Sequence, residues 1–350
     1  MSPIEKFEAG VLMRPVLRKG AVPLFLSLCL FFLCWSPGGG ARAADSPLRM
    51  ASFNIQIFGQ SKMKKAAAVS TLLRILDRYD LVFIMEIRDS DDTAIYELLQ
   101  RLNQQSSKNY QIIVSERLGR TASKEQYAYL YNPDKVMPDQ AYVFNDSRNK
   151  FEREPYVAHF RFGADAFTMI GIHTSPSDVA AELGALPPVY NEAKERFGHR
   201  NIFIVGDLNA DCSYYNPNQG FDLFADAVTP LLPEGTDTTV ANTSCTYDRV
   251  LAFGTLPRSS SSAKAFNFQT AYGLSLADAQ LVSDHYPVEW TLGDVPASAE
   301  SPVQEPELPT MPPVSSDAKC GLNPSPTPRG YCYADFPSGR KRVANACCPR

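Results

Sequence analysis

Between about Leu48 and Leu292, short apolar runs alternate with longer stretches of helical periodicity. Met50 to Ile55, Leu81 to Met85, Tyr127 to Tyr131, Phe167 to Ile172 and Asn201 to Val205 are too short for helices and read as largely buried strands. Between them, Lys64 to Arg78 places Val69, Leu72, Leu73 and Leu76 on one face. Asp92 to Asn103 does the same with Ile95, Leu98, Leu99 and Leu102, which predicts two amphipathic helices covering a sheet. Strands and helices mixed in this way predict an α/β or α+β layered domain. From Asp294 to Ser316 the pattern dissolves into Pro, Ser, Ala and Glu, the composition of an extended linker. Beyond it, residues 317–350 are too few for a good core unless stapled, and Cys320, Cys332, Cys347 and Cys348 can supply two bridges.

The amino terminus reads differently. Arg14, Arg18 and Lys19 precede the apolar run Ala21 to Trp35, and Gly-rich sequence with Ala41-Arg42-Ala43 follows, the order of a secretory signal peptide with a small-residue cleavage site. The run is short for a membrane span of about 20 residues. The chain thus divides into a signal peptide (1–43), a main domain (44–293), a Pro-rich linker (294–316) and a Cys-rich module (317–350). Six cysteines remain after the signal, an even number suited to an oxidising compartment, which points to a secreted, extracellular or periplasmic protein without a membrane anchor.

Composition narrows the function classes. A hydrophobic content of 44% in 350 residues excludes a disordered chain. Loss of residues 1–43 takes the formal charge from −4 to −7, which argues against polyanion binding by bulk positive charge. An enzyme acting on a phosphodiester would here depend on local arginines and a metal.

Polar groups at strand ends carry the candidate chemistry, because a sheet holds them rigidly while loops leave them accessible. Asn54 closes the first apolar run and Glu86 the second; one carboxylate with waters and substrate phosphates is a donor set for a hard cation such as Mg2+. His173 ends a third run. Gly206-Asp207-Leu208-Asn209 turns out of a fourth, and Asp284-His285 precedes the last, with Asp248 upstream. Singly, each is explained by turn chemistry or by a structural histidine. Together they supply a base, an acid and a charge stabiliser, the three needs of phosphodiester hydrolysis.

Seven motifs occur in order: Ser-Phe-Asn-Ile (52–55), Met-Glu-Ile-Arg-Asp (85–89), Leu-Gly-Arg-x3-Lys-Glu-Gln-Tyr (118–127), Arg-Glu-Pro (153–155), Gly-Asp-x-Asn-Ala-Asp-Cys-Ser-Tyr (206–214), Cys-x-Tyr-Asp-Arg (245–249) and Ser-Asp-His-Tyr-Pro-Val-Glu (283–289). In these the sequence resembles the deoxyribonuclease I family, within the endonuclease/exonuclease/phosphatase superfamily, over about residues 48–293. The resemblance implies an α+β fold, a four-layered α/β/β/α sandwich, with the Cys-rich module added to it. It implies a monomeric endonuclease acting on double-stranded DNA. His173 would pair with Glu125 and His285 with Asp248 as general acid and base, in an order left open. Asp207, Asn209 and Asn54 would surround the scissile phosphate. Glu86, with Asn54 and Asp284, would hold Mg2+ or Mn2+, and Arg88, Arg120 and Arg153 would contact DNA. The resemblance also implies a Cys212–Cys245 disulfide and a structural Ca2+ site at Asp237, Thr239 and Thr243, where Ala241 lacks the expected oxygen.

This chain departs from the family at three places. Ser123 stands where the family has a tyrosine against the DNA sugar, residues Asn145 to Lys150 replace a small disulfide loop, and the tail is extra. Arg340-Lys341-Arg342 with Tyr331, Tyr333 and Phe336 suits either a DNA- or surface-binding module or a stapled cap. Within the superfamily, a lipid-phosphate phosphodiesterase such as a sphingomyelinase or a phosphoinositide phosphatase would use the same groups; the segment 118–127 favours the nuclease. A non-catalytic binding or toxin subunit would lack the histidines.

Overall fold

A computed structural model describes residues 46–293 except 217, 219, 222 and 259, together with the backbone of residues 322–326, 332–336 and 339–343. The expected signal peptide, the expected linker and the bridges expected in the tail lie outside the described residues. In chain order the first half contains β1 (Leu48–Phe58), α1 (Gln60–Met63), α2 (Ala66–Leu76), β2 (Leu81–Ile87), α3 (Ala94–Gln105), β3 (Gln111–Val114), β4 (Gln126–Tyr131), β5 (Val136–Val143), β6 (Tyr156–Phe162) and β7 (Asp165–Gly171). There follow α4 (Val179–Gly184), α5 (Leu186–Phe197), β8 (Ile202–Asp207), β9 (Thr229–Pro230), β10 (Asp248–Phe253), α6 (Thr255–Arg258), β11 (Lys264–Ala265), α7 (Phe268–Ala271), α8 (Leu276–Val282) and β12 (Val288–Leu292). The tail contributes β13 (Leu322–Pro326), β14 (Cys332–Phe336) and β15 (Gly339–Val343), a three-stranded antiparallel sheet.

Two six-stranded sheets stack face to face, in the orders β11-β12-β1-β2-β4-β3 and β5-β6-β7-β8-β10-β9. Each has one parallel pair near its centre, β1 with β2 and β7 with β8, flanked by antiparallel strands. Met50, Phe83, Met85, Tyr129 and Trp290 of the first sheet meet Phe160, Phe167, Phe203 and Val205 of the second in a shared inner core. The outer face of the first sheet is covered by α2, α3 and α8 through Leu72, Leu76, Leu98, Leu102 and Val282. That of the second is covered by α4 and α5 through Leu183, Val189 and Tyr190. The result is the α/β/β/α sandwich. Central strands are buried on both faces, which is why they read as continuous apolar runs instead of alternating ones.

At Gly171, an added Cβ would sit 2.2 Å from the Phe83 ring of the opposite sheet, so the inner layers close only over a residue without a side chain. The Cys212–Cys245 bridge is formed and joins the turn after β8 to the approach of β10. Closing that loop contributes about 4 kcal/mol by chain entropy.

β1 and β2 both run past the points where their apolar patterns end. Pairing of the two slips between Asn54 and Phe58, where Gln56 and Ile57 adopt φ of 41° and 46°. β2 slips against β4 between Ile84 and Ile87, with Glu86 at φ 60°. Left-handed backbone at non-glycine residues is costly, and a bulge breaks the two-residue alternation. Ile87 thereby takes the outer-core place that alternation from Val82 and Ile84 would assign to Glu86. Glu86 is released to the end of the sheet.

Candidate functional site

The carboxyl ends of β1, β2, β7 and β8 and the amino ends of β4, β10 and β12 lie on one edge of the sandwich, where open sheets with parallel central strands bind ligands. This edge receives Asn54, Glu86, His173, Asp207, Asn209, Glu125, Asp248 and His285. The β7–β8 pairing continues past β7 through Ile172 N–H to the Val205 carbonyl (3.1 Å) and Thr174 N–H to the Asp207 carbonyl (3.0 Å). Gly206 permits this approach. Its φ is +142°, and an added Cβ would lie 1.8 Å from the Ile172 oxygen. The same residue therefore brings His173 beside Asp207.

Both histidines are buried and oriented by buried acids. His173 Nδ1 lies 3.1 Å from Glu125 Oε1, and His285 Nδ1 lies 2.7 Å from Asp248 Oδ2. A carboxylate at Nδ1 fixes the ring and leaves Nε2 available. The two Nε2 atoms approach the same oxygen, Asp207 Oδ2, at 3.5 Å and 3.4 Å. Burial alone would lower both imidazoles, but Glu125 and Asp207 raise His173, and Asp248 with Asp207 holds His285 well above the ordinary histidine value. Conversely, burial would push Asp207 up, and the facing His285 and His173 pull it down.

Asn54 joins this centre to Glu86. Its amide donates to Glu86 Oε1 (3.0 Å) and Asp207 Oδ2 (3.2 Å), while Ile57 N–H of the β1 bulge donates to Glu86 Oε2 (2.9 Å). Asn209, at φ 47°, donates to the Thr174 carbonyl (3.1 Å). Asp284 is more open; its Oδ1 is 4.0 Å from His285 Nε2 and has no hydrogen-bond partner. Asp207, Asp248 and His285 can each turn a ligand atom to within 4.8 Å of the others. Asp248 and His285 are bonded to each other at 2.7 Å, so this cluster serves as an oriented acid/imidazole pair, and the hard carboxylate oxygens of the neighbouring Glu86 and Asp284 are left for a cation such as Mg2+ or Mn2+.

The three arginines fall in different places. Arg88 faces Glu86 at 3.4 Å and donates to Ser123 Oγ at 3.0 Å, so Ser123 braces an arginine beside the site. Arg120 is partly exposed and pairs with Glu152 at 3.5 Å. Arg153, expected against DNA, is buried; it pairs with Glu125 and donates to the His173 carbonyl (3.2 Å). It sits behind the His173 dyad. Asp237, Thr239 and Thr243 do meet in one turn, where Thr239 Oγ1 donates to Asp237 Oδ1 and lies 2.8 Å from the Thr243 carbonyl.

Sequence reasoning passed over several buried polar residues that hold this edge. Tyr127 Oη accepts from His173 N–H (2.9 Å), and Ser283 Oγ donates to the Asn54 carbonyl (2.6 Å) and accepts from His285 N–H (3.1 Å). Tyr127 was hidden in a strand pattern, and Ser283 has no signal beyond its place beside Asp284.

Glu182 is an acid on the buried face of α4, in an otherwise apolar stripe with Val179 and Leu183. Its Oε1 accepts from Glu152 N–H at 3.0 Å. Burial pushes its carboxyl up to about 7, against the opposing Glu152 and Ser175 amides and Arg153. A raised acid is more readily deprotonated in the unfolded chain, so stability falls as pH rises from the unfolded value of 4.5 through 7 and the penalty is complete above. That penalty is on the order of 3 kcal/mol. Glu182→Gln removes it. The variant's Tm relative to wild type should therefore rise by about 5–10 °C between pH 5 and pH 8. An offset that is the same at both pH values would refute the buried acid.

Residues 51–285 match the Endonuclease/Exonuclease/phosphatase family. Deoxyribonuclease-1 of Homo sapiens is 41% identical over 256 residues, which cover 69% of this chain and 91% of that protein. Deoxyribonuclease-1 of Bos taurus is 40% identical over 259 residues, 70% and 92% of the two chains. Among solved structures, the endonuclease/exonuclease/phosphatase from Bacteroides vulgatus superposes with a TM-score of 0.52 at 15% identity, covering 71% of this chain and 99% of that one. D. rerio TDP2 complexed with a single-strand DNA product gives 0.51 at 15% identity, covering 71% and 100%. These structures share the fold; the sequence match and the ordered motifs go further. The chain belongs to the endonuclease/exonuclease/phosphatase family and, within it, to the deoxyribonuclease I group.

Proposed function

We propose that the protein is a secreted, metal-dependent endonuclease that hydrolyses phosphodiester bonds of double-stranded DNA by acid/base catalysis with two histidines. The observation that carries this reading is the convergence of His173 Nε2 and His285 Nε2 on Asp207 Oδ2, each imidazole backed by its own buried acid. One imidazole takes a proton from the attacking water, and the other returns a proton to the departing sugar oxygen. Each needs Nε2 free and Nδ1 tied down. Asp207, Asn54 and Asn209 line the place between them, where the scissile phosphate would lie.

Glu86 with Asp284 would hold Mg2+ or Mn2+ through hard carboxylate oxygens, and Asp284 Oδ1 has no hydrogen-bond partner. Asn54, expected as a further ligand, turns its amide N–H to Glu86 and its Oδ1 to Gln56 N–H, and so orients Glu86. The bound cation supplies charge stabilisation to the phosphate oxygens. Glu86 stays available to it because Ile57 N–H and Arg88 hold the carboxylate at the sheet edge. Arg88 and Arg120 supply local positive charge to the DNA backbone on an otherwise acidic chain, while His173 and, after it, Arg153 hold the Glu125 carboxyl below its ordinary value against burial. The sequence of residues 1–43 supports export, and no helix of the described residues is long and apolar enough to cross a membrane. Asp237, Thr239 and Thr243 would form a structural Ca2+ site.

Supercoiled plasmid nicking tests the reading. Nicked circles should accumulate with Mg2+ or Mn2+, stop on chelation with EDTA and return on metal addition. Sphingomyelin and phosphoinositide vesicles supplied in parallel should release no product. Release from lipid without nicking would move the substrate class to a lipid phosphate.

A further inference from the structure

Lys62 is a buried lysine outside the groups assigned so far. It lies on the short helix α1 and is 6% exposed. Its ammonium donates to the Ile55 carbonyl (2.9 Å) and the Val282 carbonyl (2.8 Å), residues far apart in sequence. Burial lowers it to about 8 against the through-space pull of Asp284 and, more weakly, Glu86. Burying a lysine is expensive, and two neutral carbonyls are a modest return if nothing but the core were served.

The two carbonyls show what is served. Ile55 directly follows Asn54 and opens the β1 bulge whose Ile57 N–H holds Glu86. Val282 is the last residue of α8, where helix carbonyls lack internal partners and favour a cation. It directly precedes Ser283-Asp284-His285. A second bond crosses the same junction, from Ser283 Oγ to the Asn54 carbonyl (2.6 Å). The site has two halves, Asn54 and Glu86 at the ends of the paired strands β1 and β2, and Asp284 with His285 in the turn between α8 and β12. Lys62 spans them through two backbone carbonyls.

We infer that Lys62 is a positioning residue: by bonding the Ile55 and Val282 carbonyls it locks the β1 bulge to the 283–285 turn, and so sets the Glu86 and Asn54 side of the site against His285. This rests on the roles proposed above for Glu86 and His285. A methionine fills the same volume but cannot bridge the carbonyls. A partner that orients ligating groups typically changes metal affinity or activity by about 10–100-fold when removed.

The experiment compares wild type, Lys62→Met, Ser283→Ala and the double variant as full chains. It measures Tm, Mn2+ binding by calorimetry, and kcat and KM for plasmid nicking well below each variant's Tm. For Lys62→Met, kcat should fall about 10–100-fold and Mn2+ should bind more weakly, while KM for DNA stays within about twofold. The double variant should lose no more than the worse single, because both bonds hold one junction. Lys62→Gln, which keeps most of the length but cannot bridge both carbonyls, carries the same kcat and KM comparison if Lys62→Met does not fold. A folded variant with only a lower Tm, its kcat and Mn2+ affinity within about twofold of wild type, would overturn the positioning role. A wild type that neither nicks DNA nor binds Mn2+ would instead overturn the catalytic reading on which it rests.

Discussion

Replacing either His173 or His285 by alanine should lower kcat/KM for plasmid nicking by about 10²–10⁴, the range contributed by one positioned general acid or base. The two losses should not add. Both Nε2 atoms face one oxygen, Asp207 Oδ2, and serve one phosphate, so the double variant should fall little below the worse single. Stability must be separated from chemistry, because His285→Ala strands the buried Asp248, and breaking a buried pair costs about 3–5 kcal/mol, whereas Glu125 keeps Arg153 when His173 is removed. Rates therefore belong at a temperature below the variants' Tm. Added imidazole should restore part of the rate by refilling the space. If either alanine variant, folded and metal-loaded, retains activity within tenfold of wild type, that histidine has no proton-transfer role.

How far the sequence discloses this site depends on what each residue's neighbours allow. Leu81 to Met85 and Ile202 to Val205 are legible because strands between a sheet and a helical layer must be apolar on both faces. Val69, Leu72, Leu73 and Leu76 of α2 are legible as one stripe, and all are buried. β5 carries exposed Asp139, Gln140 and Ala141 on an edge strand, so its pattern is faint. α8 is only seven residues long, too few for periodicity to speak.

At the site, position at strand ends singled out Asn54, Glu86, His173 and Asp207, and position before the last strand singled out His285; Asp248 stood out only as an acid upstream of it. Pairing Glu125 with His173 required the family resemblance, because the two are 48 residues apart with nothing local to connect them. The ends themselves were placed too early: β1 reaches Phe58 and β2 reaches Ile87 through bulges. No single-residue propensity announces the two bulges, one at Gln56 and Ile57 and one at Glu86, because none of these residues favours left-handed backbone. Arg153 illustrates the converse. Its motif is visible, but a sequence does not tell an arginine that reaches outward from one that turns inward to Glu125.

Gly206→Ala should be the most damaging single change to the fold at this edge, and its effect follows from backbone alone. The added methyl carbon would lie 1.8 Å from the Ile172 oxygen and 2.9 Å from its carbonyl carbon, atoms of a neighbouring main chain that no rotamer change can move. Its φ of +142° is strained for any residue with a side chain, at about 1–3 kcal/mol before the clash is counted. Relief requires β8 to move away from the end of β7. That breaks the Ile172 N–H to Val205 and Thr174 N–H to Asp207 bonds and carries Asp207 away from His173. The expected loss exceeds about 4 kcal/mol, with little soluble folded protein and no nicking activity. Gly184→Ala is the matched control: it lies at the end of α4 with nothing within 4 Å of the added carbon, and its Tm should be unchanged or slightly higher. Circular dichroism melts of the two variants decide the matter. A Gly206→Ala protein that melts with wild type would mean that β7 and β8 do not meet as closely as the Asp207–His173 pairing requires.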